Sequence, residues 1–227
     1  DVLLLQGARV PILEVSDLSP RLVRVAIDMA HVYAVGQPVQ YSYLQRPLRL
    51  VDVQTPYAGP PLAVEMPSAG RPLDQGMRAA IEACGARLLT LTHAAGLSAT
   101  GDPALDAALP LPERYSVPEP TWRAVRGASR VFAVGTSVVR ALESAARDPL
   151  EGTTSLRLGE GVPLLVVDGL LSGMHEPGES HFQLMAAFSD LDFLRRAHRH
   201  AMAAGYRSHE FGDSTLILPR GKRAKSA

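Results

Sequence analysis

Four short segments of this chain set reactive side chains beside turns. The run Val131-Phe-Ala-Val-Gly-Thr-Ser-Val-Val-Arg140 passes from strand through turn into helix. Gly135 lets the backbone turn tightly. Thr136 and Ser137 then stand at a helix N-terminus, where unpaired N–H groups can bind an anion or carboxylate, or where a hydroxyl merely caps the helix. Arg140 and Glu143 follow on the next turn and by themselves form an ordinary i,i+3 pair. The second segment, Leu165 to His175, leaves a strand through Asp168-Gly169, and Glu176-Pro-Gly-Glu-Ser-His181 then precedes a helix. Strand ends carry ligand sites in open α/β sheets, so His175 reads as a substrate contact or a turn stabiliser. His175 and His181 have no third ligand at a spacing that zinc requires, and no metal site is expected. In the third segment His93 follows a strand, a position open to a structural or a functional imidazole. In the fourth, Gly212-Asp213 precedes the last strand, where Asp213 is either a working carboxylate or the closure of a turn.

The elements that must position these residues come from the hydrophobic pattern. A buried strand is expected at 1–5 and a second strand at 22–27, with an edge strand or loop over 40–50, where Pro47 interrupts the alternation. Residues 55–73 are rich in Pro and Gly and read as an extended connection. A helix over 73–84, capped by Asp74 and stopped by Gly85, follows from the spacing of Met77, Ala80, Ile81 and Cys84. That spacing puts Cys84 on the apolar face as packing. Short strands are expected at 87–91, 130–134, 163–167 and 215–218, and helices at 120–126, 138–147, 180–188 and 191–204. Residues 94–120 read as loop. Alternation from residue 74 onward predicts one α/β layered domain over 1–219 with a largely parallel central sheet.

Composition narrows the function classes. With 23 basic and 23 acidic residues the formal net charge is zero, unlike that of a nucleic-acid coat protein. The most basic stretch, 220–227, reads as a disordered tail. A hydrophobic fraction of 46% supports a substantial core. The single cysteine rules out an internal disulfide and suits a reducing cytoplasm. No apolar run approaches the length of a membrane span, and the first residues lack the basic start of a signal peptide, so a cytoplasmic protein without a membrane partner is expected. The chain has no G-x-x-x-x-G-K-[ST] loop, no G-x-G-x-x-G turn and no G-x-S-x-G elbow.

Taken together and in order, the segments resemble the S-adenosylmethionine:tRNA ribosyltransferase-isomerases of queuosine biosynthesis. Pro67-Ser68-Ala69-Gly70 is similar to that family's Pro-Thr-Ala-Gly, and Leu91-Thr92-His93 with Gly96 to its Thr-Leu-His followed by Gly. Ala133 through Ser144 resembles Ala-Val-Gly-Thr-Thr-Ser-Val-Arg-Thr-Leu-Glu-Ser. Val167-Asp168-Gly169-Leu170 through His175 and Pro177 resembles Val-Asp-Gly-Leu-Ile-Thr…His-x-Pro, and Phe211-Gly212-Asp213 its Phe-Gly-Asp. The opening Asp1 to Pro11 looks like Asp-Leu-Leu-Val-Leu-Asn-Asn-Thr-Arg-Val-x-Pro, with Gln6-Gly7-Ala8 replacing Asn-Asn-Thr. Two motifs depart from the pattern. Thr-Asp-Leu is Thr154-Ser155-Leu156 here, and Leu-His-Phe is Arg71-Pro72-Leu73.

The resemblance implies a shortened, divergent member of the family. Its inserted β-barrel is expected to be missing or vestigial, with 12–37 as its remnant, and the N-terminal arm to be absent. It implies S-adenosylmethionine as a ribosyl donor and tRNA carrying 7-aminomethyl-7-deazaguanine as acceptor. The ribosyl unit is rearranged to give epoxyqueuosine, with no metal. On this view His93 or His175 supplies acid–base function near neutrality, with Asp213 as a catalytic carboxylate or, like Asp168, a holder of ribose hydroxyls or the substrate ammonium. Thr136 and Ser137 bind the methionine carboxylate, and Arg140 that carboxylate or an RNA phosphate. Ser68, Gly70, Gly135, Glu143, Gly169 and Gly212 complete the expected substrate site. Two other readings stand beside it: a paralogue using S-adenosylmethionine on a small acceptor, and a non-catalytic binding protein of the same fold.

Overall fold

The computed structural model describes residues 1–59, 63–97 and 100–218. The basic tail and its expected disorder lie outside the described residues. Those residues fall into two compact units, one formed by Asp1–Gln54 with Ala99–Leu109, the other by Thr55–Ser98 with Pro110–Ala227.

The first unit opens with an antiparallel sheet of β1 (Val2–Leu5), β2 (Ala8–Ser16) and β3 (Ser19–Val25). Gln6 and Gly7 both take positive φ, 46° and 89°, which is the backbone a two-residue hairpin turn demands. Helix α1 (Met29–Val35) is capped by the Asp28 side chain on the Ala30 N–H, and the short α2 (Leu50–Val53) follows. Helix α4 (Pro103–Ala108) belongs to the same unit. Its cap, Asp102, also accepts a hydrogen bond from the Ser19 hydroxyl at 2.7 Å. Residues 1–5 form the expected strand, but Val2, Leu3, Leu4 and Leu5 are all exposed, so it is not a buried one. Residues 40–49 form no strand.

The second unit holds the main core, in which Val139, Leu142, Val167, Leu170, Phe182, Leu194 and Ile217 pack together. A 3-10 turn (Ser68–Gly70) leads to α3 (Gln75–Ala83), where the Asp74 carboxylate accepts the Met77 N–H as expected of a cap. No residue of α3 is buried, and Cys84 is exposed rather than packed. The remaining elements are β4 (Thr92–His93), β5 (Glu113–Ser116), α5 (Glu119–Gly127), β6 (Phe132–Val134), α6 (Thr136–Ala145), β7 (Glu151–Thr154), β8 (Gly169–Gly173), α7 (Ser180–Met185), α8 (Leu191–Ala203) and β9 (Ser214–Ile217).

The α/β character holds, but the largely parallel central sheet does not. Strands β4-β5-β7 form an antiparallel sheet, and in β6-β8-β9 only β6 and β8 run parallel. Short apolar runs read alike in parallel and antiparallel sheets, so their order along the chain leaves the pairing open. The expected strands at 87–91 and 163–167 are displaced to β4 and β8. The main-chain N–H groups of Leu165, Val166 and Val167 donate to the Glu143 carboxylate instead of to a neighbouring strand.

Candidate active site

Strands β6 and β8 pair with Phe132 opposite Gly169 and Val134 opposite Leu171, so their C-terminal ends lie side by side. That end collects most of the residues singled out in the sequence. Gly135 donates its N–H to Leu171 at 2.8 Å and turns the chain into α6 with φ 101° and ψ 145°, a conformation nearly confined to glycine. No side chain caps α6, and the Val138 and Val139 N–H groups turn back to the Gly135 carbonyl. The N–H groups of Thr136 and Ser137 therefore have no intrahelical acceptor. The turn Ser68–Gly70 packs against β8, with Ala69 beside Gly135.

Near the end of β8, Ser172 places its hydroxyl 2.8 Å from Nε2 of His175. The loop 207–213 returns to the same end. His209 donates its N–H to the Met174 carbonyl, Met174 donates to Asp213, and the Asp213 carboxylate accepts the Arg207 N–H at 2.8 Å. A Cβ on Gly212 would collide with the Arg207 and Ser208 carbonyl oxygens, so this tight loop requires glycine. Arg71 lies over the Phe211 ring at 4.3 Å.

The histidines here are depressed, not poised near neutrality. Burial, then His181 and His209, pull His175 down to about 3. Burial, then Arg140, pull His93 down to about 4. Burial also lowers His181, whose ring centroid is 4.9 Å from that of His175, while Glu179, Glu65, Glu210 and Glu113 pull it back up. At pH 7 His93 and His175 are neutral, and each offers one donor and one acceptor.

Four expected substrate contacts sit elsewhere or are already engaged. Asp168 and Gly169 lie at the opposite, N-terminal end of β8. There the Asp168 carboxylate accepts the Val131 N–H at 2.7 Å, and Gly169 gives room to the Phe132 ring. Arg140 is buried, with Nε on the Leu156 carbonyl, Nη1 on Glu113, and Nη2 on Leu111 and Thr154. Glu143 is fully buried and binds Arg147 and three main-chain N–H groups, not Arg140. Thus Arg140 and Glu143, read as a pair from their spacing, hold different partners.

Glu113, His181 and His209 join the region without having been singled out for its chemistry. For His181 the sequence suggests only a metal-ligand role. Among the described residues no group of three or more His, Cys, Asp or Glu is arranged to hold a metal ion. No helix among them is long and apolar enough to cross a membrane.

A parallel strand pair that ends in a glycine turn, a helix N-terminus and neutral histidines is the kind of strand end at which α/β proteins carry ligand sites. The family model described as "Queuosine biosynthesis protein" matches residues 3–217, and the chain belongs to that family. It is 34% identical to the S-adenosylmethionine:tRNA ribosyltransferase-isomerase of Thermus thermophilus over 93% of this chain and 65% of that protein. The protein of the same name from Rubrobacter xylanophilus is 36% identical over 74% of this chain and 52% of its own length. The crystal structure of S-adenosylmethionine tRNA ribosyltransferase from Thermotoga maritima superposes with TM-score 0.54 at 30% identity, covering 66% of this chain and 51% of that one. The chain thus spans about half to two-thirds of the length of these relatives.

Proposed function

We propose that the chain carries the S-adenosylmethionine-binding part of a tRNA ribosyltransferase-isomerase. In this reading it transfers and isomerises the ribosyl unit of S-adenosylmethionine onto 7-aminomethyl-7-deazaguanine in tRNA, giving epoxyqueuosine in the cytoplasm. The observation that carries the reading is the meeting of the uncapped α6 N-terminus with His175 at one end of β6 and β8. The Thr136 and Ser137 N–H groups receive the methionine carboxylate, an anion suited to the positive end of the helix. His175 and His93, both neutral, hydrogen-bond the ribose or the acceptor amine, and Asp213 offers a carboxylate to a hydroxyl or ammonium. Ser68, Gly70 and Gly212 shape the wall. No metal enters this reading. Residues 12–37 are read as the remnant of the family's barrel.

The test is calorimetric titration with S-adenosylmethionine, then chromatography for free adenine after adding tRNA that carries the deazaguanine. Binding with adenine release is expected. Zero net charge favours one second reading, a small deazapurine acceptor in place of tRNA. Adenine release with the free base but not with tRNA would select it. No binding at millimolar ligand would leave a non-catalytic relative.

A further inference from the structure

Glu113, the first residue of β5, has three neighbours. Its Oε1 accepts the Gly96 N–H at 2.6 Å. Its Oε2 is paired with Nη1 of Arg140 and stands 3.5 Å from Nε2 of His93. The carbonyls of Leu156, Leu111 and Thr154 hold the guanidinium in place, so the carboxylate is fixed from behind. The His93 ring is 3% exposed, and neither of its nitrogens has a hydrogen-bond partner among the described residues. Burying polar nitrogens without partners is unfavourable, so a water or a ligand group is needed to complete the set.

The two nitrogens are not equivalent. Nε2 looks toward a carboxylate, which only accepts, so the ring hydrogen is favoured there. Nδ1 then carries the lone pair. Arg140 keeps the carboxylate matched in charge, so His93 need not become an imidazolium to face it, and burial opposes the charged form as well. His181 also lies within electrostatic reach of Glu113, which ties this group to the His175–His181 shell.

We propose that Glu113 is a positioning residue that holds His93 as the neutral Nε2–H tautomer, leaving Nδ1 to accept a hydroxyl or ammonium hydrogen of bound S-adenosylmethionine. The identity of the ligand rests on the function proposed above; the tautomer does not.

The experiment is long-range proton–nitrogen NMR of the full chain labelled with ¹⁵N-histidine at pH 7, with His93 assigned by comparison with His93→Gln. A single Nε2–H species at His93 is expected; an Nδ1–H species or an imidazolium overturns the proposal. In Glu113→Gln the amide can donate to Nε2, so the population should move toward Nδ1–H. An unchanged tautomer in a variant with wild-type circular dichroism overturns the role of Glu113. Should that variant not fold, the wild-type spectrum still decides. Saturation with S-adenosylmethionine, checked by calorimetry, should move the Nδ1 resonance. Binding without that movement removes Nδ1 as the acceptor, whereas the expected tautomer without binding counts against the proposed donor only.

Discussion

The carboxylate of Glu143, in the last turn of α6, accepts the main-chain N–H of Val166 at 2.9 Å. It takes the N–H groups of Leu165 and Val167 as well, and Nη1 of Arg147 at 2.8 Å. One side chain thereby fastens the approach to β8 onto the helix whose N-terminus forms the proposed carboxylate site. A charged acceptor with no solvent exposure is tolerated because its lone pairs are so occupied.

Glu143→Gln should cost about 2–4 kcal/mol of unfolding free energy, because an amide N–H₂ would face backbone donors and the Arg147 pairing would weaken. Urea denaturation at pH 7 measures this. A loss below about 1 kcal/mol would show that the cradle can rearrange around a neutral side chain.

Asp168→Ala should remove a clamp and leave the ligand untouched. The carboxylate holds the Val131 N–H at the start of the β6–β8 pair, about 16 Å along β8 from its C-terminal end. A stability loss of about 1–3 kcal/mol is expected, with the S-adenosylmethionine affinity of the folded protein within twofold of wild type. A tenfold loss of affinity at unchanged stability would return Asp168 to the substrate site.

Gly135→Ala tests the turn itself. At φ 101° and ψ 145° a Cβ is strained by about 1–3 kcal/mol, and relief requires moving the first turn of α6. Both a lower thermal midpoint and at least tenfold weaker S-adenosylmethionine binding are expected. Wild-type affinity in this variant would mean that the Thr136 and Ser137 N–H groups do not touch the ligand.

Asp213→Asn should abolish turnover with little effect on stability, since the residue is exposed and the amide oxygen can still accept the Arg207 N–H. Adenine release at the wild-type rate would remove Asp213 from the chemistry.

Stability should fall on acidification from pH 6.5. His93 and His175 fold with pKa values of about 4 and about 3, below the unfolded value of 6.5. The unfolded chain therefore binds more protons below pH 6.5, and each site contributes a slope of up to about 1.4 kcal/mol per pH unit. The loss runs from pH 6.5 down to about 4 for His93 and about 3 for His175. Urea midpoints between pH 7 and pH 5 should flatten in His93→Gln and in His175→Gln. An equal slope in both variants and wild type would reject this account.

The sequence by itself determined many of the local elements, and the family. The caps and stops of α3, the strand–turn–helix at Gly135 and the spacing of the later helices follow from side-chain chemistry within a few residues, where competing conformations differ by local sterics and hydrogen bonds. The motifs around Ser68, His93, Gly135, His175 and Gly212 likewise sufficed for the family, because they lie in order along the chain. Only the tertiary structure decided what those residues do. The run 163–167 has the composition of a strand, but the Glu143 carboxylate, 22 to 24 residues upstream, claims the N–H groups of Leu165, Val166 and Val167. Arg140 sits one turn from the helix N-terminus, yet burial turns its guanidinium to carbonyls and to Glu113, which lies in a stretch read as loop. Strand direction, the end of β8 at which Asp168 falls and the depressed histidines all depend on contacts between residues distant in sequence. Their energies come from desolvation and three-dimensional proximity, which the pattern along a single chain does not carry.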